Sequence, residues 1–134
     1  MRATTAFLWV LPFMCFSAAA AEVDASLYGE WVPEQYACRS GVGIRLNAKG
    51  VTFINGAKRR TFPRLEAGYT FWGGARYKGI VVAVFPDTED KPAPFVLHVN
   101  YGEKKGAALV QYPNPALRAD FPFDDVLMRK CRAT

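Results

Sequence analysis

The segment "VGIRLNAKGVTFINGAKRRTF", Val42 to Phe62, sets the architecture. Val42, Ile44 and Leu46 alternate with Gly43, Arg45 and Asn47, a period of two that gives a strand one apolar and one polar face. "NAKG" (47–50) offers a turn, and Val51 and Phe53 resume the alternation. Asn55-Gly56 then supplies a tight hairpin, because both residue types tolerate positive φ. A further strand of roughly Arg59–Leu65 follows, broken at Pro63, whose missing N–H suits an edge or a bend. Three strands joined by two tight turns read as a meander.

The same grammar continues outward. Eleven glycines and nine prolines punctuate the 134 residues, and the segments between them are short and rich in β-branched and aromatic residues. That composition reads as all-β. In "YTFWGGARYKGIVVAVFPD" (69–87) the pair Gly73-Gly74 suits a turn. "GIVVAVF" is apolar on both faces and is expected to be a central strand of the core. "PDTEDKPAP" (86–94) reads as a polar loop. "PFVLHVNY" (94–101) alternates, with Phe95, Leu97, Val99 and Tyr101 on one face and Val96, His98 and Asn100 on the other. "GEKKG" turns the chain into "AALVQY", "PNPALRADFPF" is a longer connection with room for one helical turn, and "DVLMRKC" is the last strand. The expected fold is a small antiparallel up-and-down meander of seven or eight strands, which removes its exposed edges by closing into a barrel or a curled sandwich.

The N-terminal stretch has a different character. Arg2 precedes an apolar run from Ala6 to Phe16 and then small residues through Ala21. That order is a secretory signal peptide, with cleavage after Ala21. The run is about half of the roughly 20 residues needed to span a bilayer, so no transmembrane segment is expected in the mature chain. Residues 22–134 then form a single β-rich domain in the periplasm or outside the cell. Cys15 leaves with the signal, and Cys38 and Cys131 remain. In an oxidising compartment they are expected to form a disulfide. It would close a loop of roughly 90 residues, worth roughly 4–5 kcal/mol in the chain-entropy model. It would also clasp the two ends that must meet when a meander closes.

Near the start of that domain, Gly29-Glu30-Trp31 is similar to the Gly-x-Trp that opens the first strand of lipocalin-like and avidin-like barrels. Arg129 or Arg132, near the end of the chain, is similar to the late arginine that many lipocalins pack over that tryptophan. The similarity covers these few residues, implies a barrel, and carries no ligand with it.

Charge is the least uniform feature. The formal net charge is +5, and Arg39 to Arg64 holds seven basic residues with no Asp or Glu. Arg45, Lys58, Arg59, Arg60 and Arg64 form a candidate basic patch for an anionic envelope component or an acidic protein. Nucleic acid does not fit an exported chain. Chemistry has little support. His98 is the lone histidine, Ser26 and Ser40 lie in no nucleophile turn, and Asp124-Asp125 would point to opposite faces of a strand. Asp87, Glu89 and Asp90 lack the glycine and spacing of a calcium loop. No catalytic residue, metal or cofactor is expected. The leading reading is an exported, non-enzymatic binding module that works through its surface. The second is a carrier or sensor of a small hydrophobic ligand inside a lipocalin-like barrel, with Trp31, Tyr69, Phe71, Trp72 and Tyr77 as candidate pocket walls.

Overall fold

The computed structural model describes residues 22–68, 71–72, 75–76 and 78–133. The expected signal segment 1–21 and the Gly73-Gly74 turn lie outside these residues. The strands are β1 (Gly29–Pro33), β2 (Val42–Asn47), β3 (Gly50–Asn55), β4 (Lys58–Phe62), β5 (Leu65–Gly68), β6 (Phe71–Trp72), β7 (Ala75–Arg76), β8 (Val82–Pro86), β9 (Val96–Val99), β10 (Ala107–Gln111) and β11 (Val126–Lys130). Nine of them form one antiparallel sheet in the order β4-β3-β2-β1-β11-β10-β9-β8-β5, and β6 pairs with β7 separately. Short 3-10 turns at Ala25–Leu27, Tyr101–Glu103 and Pro115–Leu117 are the helical elements among the described residues.

The sheet order explains the closure. Its two end strands, β4 and β5, are neighbours in sequence, separated by Pro63 and Arg64. Every ladder is antiparallel, so eight steps along the sheet leave β4 and β5 pointing the same way. They are two halves of one bent strand. The first half pairs with β3 and the second with β8. The result is an up-and-down meander rolled into a nearly closed barrel. Pro63 sits at the bend, where its missing N–H costs no ladder bond.

β1 and β11, the first and last strands, are direct partners, with Trp31 opposite Lys130 and Pro33 opposite Met128. Cys38 and Cys131 form the expected disulfide at this junction, with Cα atoms 5.9 Å apart. The bond staples the ladder between the two ends of the meander. The seam beside β4 lies elsewhere on the barrel wall.

Alternation decides what fills the barrel. Ile44, Leu46, Val51, Phe53, Leu97, Val99, Ala108, Val110 and Met128 are all buried. Phe53, with 0% exposure, is the hub: Phe62, Phe95, Tyr112, Phe121 and Phe123 surround it at centroid distances of 4.9 to 6.4 Å. The connection 113–125 supplies two of these rings and caps the β3–β4 hairpin end, where Asn55 Nδ2 and Lys58 Nζ both donate to Asp120. Such ring pairs add about 0.5–1.5 kcal/mol each beyond area burial.

Three expectations change. "GIVVAVF" is not a central strand: only Val82–Pro86 pairs, next to the sheet end, and burial alternates because one face of the barrel wall is outside. Tyr101 leaves the face of Leu97 and Val99. Asn100 adopts a left-handed conformation (φ 59°), turning the chain and leaving Tyr101 43% exposed. The cation beside the Trp31 ring is Lys130, with Nζ 5.9 Å from the centroid, whereas Arg129 falls on the opposite face by strand parity.

Two tests follow from this architecture. Replacing Cys38 and Cys131 together by Ser should lower the urea-unfolding free energy by about 4 kcal/mol, given the sequence separation of 93. A loss below about 1 kcal/mol would assign closure to the β1–β11 ladder instead. The second test concerns Tyr112, which is buried and donates its hydroxyl to the Phe121 carbonyl at 2.8 Å. Burial pushes its phenol well above the ordinary range, a backbone hydrogen bond at Phe123 opposes the rise, and the Asp124 charge adds to it. A raised folded pKa favours the neutral phenol. The associated stability is therefore full below about pH 10 and is lost as pH climbs further. Tyr112→Phe should cost about 1 kcal/mol at neutral pH and flatten the fall of Tm above pH ~10.

Candidate functional site

The connection between β1 and β2, residues 34–41, folds back over the outside of the barrel. Strand parity supplies its anchors, because Arg129 and Val32 share the outer row of the β11–β1 ladder. Arg129 Nη2 donates to the Tyr36 carbonyl at 2.8 Å, and Nη1 reaches Cys38 Sγ at 3.3 Å. The disulfide holds Cys38 to Cys131, and Gly56 N donates to the Gly41 carbonyl at 2.8 Å. Between these anchors Arg39 takes a left-handed backbone conformation, φ 68°. Such strain costs on the order of 1 kcal/mol or more and persists only where the surroundings impose it.

This loop walls a groove of about 250 Å³ on the outer face of β1 to β4. The floor is Val32, Gly43 and Ile54, and the rim is Glu30, Arg39, Arg45 and Arg59. Gly43 makes the floor flat for a steric reason. Its φ is +148°, and a Cβ there would collide with the Trp31 carbonyl oxygen. Arg45 Nη2 lies 3.0 Å from Glu30 Oε1, an exposed pair worth at most about 1 kcal/mol. Three guanidinium groups against one carboxylate leave the rim cationic. A second depression, about 700 Å³, shares Glu30 and Arg39 and extends past Lys130 and Arg132.

The five residues of the candidate basic patch are thus divided. Arg45 and Arg59 meet at the groove. Lys58 is paired with Asp120 at 2.9 Å. Arg60, on the opposite face of β4 from Arg59, lies over the Phe62 ring at 4.9 Å. Arg64 stands at the bend, beside Glu22 and Asp87 in a separate depression. Arg39 and Arg132 join the cationic surface. The proximity of Arg39 to β2 and β4 comes from the disulfide loop and is invisible in strand periodicity. Among the candidate pocket residues, Trp31 belongs to the packed core, 1% exposed, with its indole N–H donating to the Leu27 carbonyl. Tyr69 and Tyr77 lie outside the described residues. Phe71 and Trp72 are described through their backbone as β6.

His98 Nε2 is 2.8 Å from Gln111 Oε1 across the β9–β10 ladder, a structural pairing with no nucleophile in it. Among the described residues no group of three or more His, Cys, Asp or Glu could hold a metal ion. No described helix is long and apolar enough to cross a membrane. No protein family, curated protein or solved structure matches the chain. The functional reading rests on the groove.

Gly43→Ala should lower stability by about 2–3 kcal/mol, since backbone must move to admit the methyl group. Thermal denaturation against the parent checks this.

Proposed function

We propose that the protein is a small exported binding module whose cationic outer face holds an anionic envelope component or an acidic protein. The observation that carries this is the rim of Arg39, Arg45 and Arg59 around a flat floor, fixed to a disulfide-closed barrel. Rigid placement lowers the ordering cost of binding, and guanidinium groups match carboxylate and phosphate oxygens in pairs. The disulfide fits an oxidising, non-cytosolic environment. The interior around Phe53 is filled with rings, so the surface is favoured over the described interior as the place of recognition.

The experiment is titration with poly-L-glutamate and with vesicles containing anionic lipid, over a range of salt. Arg59→Ala should weaken binding about threefold to tenfold and reduce the salt dependence, as loss of one charge contact requires. Glu30→Gln, which removes the carboxylate paired with Arg45, should strengthen binding severalfold. Unchanged affinity and salt slope in both variants would refute the reading.

A further inference from the structure

β4 is a sheet end, and among the described residues no strand pairs along its far side. Its residues Lys58 to Thr61 are all exposed. β5 has β8 as its neighbour, and that ladder finishes with the bond from Asp87 N to the Arg64 carbonyl. Past Asp87 the chain toward β9 leaves the sheet, and no backbone bond joins it to β4 among the described residues. The bent strand therefore has a partner on both sides nowhere along its first half. That gap is three to four residues long, roughly 10–13 Å of extended chain.

The pattern of backbone groups in the gap follows from the hairpin. Asn55 and Lys58 flank the two-residue turn Gly56-Ala57, so they form a hydrogen-bonded pair, and the pairs alternate from there. Lys58, Arg60 and Phe62 direct their N–H and C=O toward β3. Arg59 and Thr61 direct theirs into the gap. Side chains supply charge on both faces of the same edge, Arg59 outside beside the groove and Arg60 on the other face over Phe62. Among the described residues the Arg59 side chain makes no hydrogen bond or ion pair. At the Arg64 end the gap borders Asp87 and Lys58 is paired with Asp120, so the positive character is concentrated at Arg59 and Arg60.

We infer that β4 accepts an extended, acidic segment of another protein as an added strand, with carboxylates beside Arg59 and Arg60 and a neutral residue beside Phe62. Backbone donors and acceptors in register, with charge on both faces of the same edge, match a polypeptide. A lipid surface or a sugar polymer presents carboxylate or phosphate without that repeat. This rests on the reading of the cationic outer face given above and specifies its partner as a protein.

The test uses the native protein and a capped octapeptide of Thr and Val with two adjacent Glu at its centre, one for each face of the added strand, compared with poly-L-glutamate. Two further peptides carry N-methyl groups on alternate residues, one on the odd set and one on the even set. In an added strand only one set faces β4. Methylating that set should weaken binding at least tenfold, about the loss of two hydrogen bonds, while the other set changes it far less. Hydrogen exchange gives a second readout. The bound peptide should protect the amides of Arg59 and Thr61 and leave those of Arg60 and Phe62 as they were. Equal binding by both methylated peptides, with poly-L-glutamate still bound, would overturn strand addition and leave the cationic-face reading standing. Failure of every acidic probe to bind would overturn both.

Discussion

The pairing of β1 with β11 is the constraint on which the rest depends. A meander has two ends, and the curvature of every strand between them is set by the requirement that those ends meet. Here they meet with Trp31 opposite Lys130, which places the largest side chain of β1 inside and Val32 outside. Once Val32 faces outward it needs cover, and residues 34–41 provide it. The disulfide then holds that cover in place, so the bond that secures the barrel also builds a wall of the groove.

The bent strand is the complementary compromise. Strict pairing all the way round would require one straight strand to serve β3 and β8 over its full length. Pro63 interrupts it, and each half serves one neighbour. The interior gains from this arrangement, because Phe62 turns inward against Phe53 and Phe95 just before the bend. The cost is an unpaired stretch of backbone along β4, the most basic strand of the sheet. Arg and Lys at such an edge discourage pairing between copies of the chain, while leaving the edge open to a chain of opposite charge.

Local patterns made much of the fold legible in the sequence. The hairpins of 42–62, the turn in 113–123 and the last strand are written in alternation and turn residues, and the lone pair of distant cysteines in residues 22–134 announced the staple. Three things were not legible. An apolar run such as Ile80–Phe85 has no period to reveal how much of it pairs, and its outer half-burial resembles core in one dimension. The choice between Arg129 and Lys130 beside Trp31 depends on a register of one residue, which sequence spacing cannot fix. The groove itself unites Arg39, Arg45 and Arg59 from a loop and two strands. Proximity in the charge-rich stretch hinted at Arg45 and Arg59, yet Lys58 and Arg60 have similar sequence context and point elsewhere.

Gly43 divides what can drift from what cannot. Its position opposite the Trp31 carbonyl makes any side chain costly, so this point of the groove floor resists change. The rim has no such restriction. Arg45 and Arg59 are exposed and stand on strands whose other face is held by the core. Substitution can therefore retune the charge and reach of this surface while the barrel beneath it remains unaltered, which makes the groove a place where new binding preferences can arise by single steps.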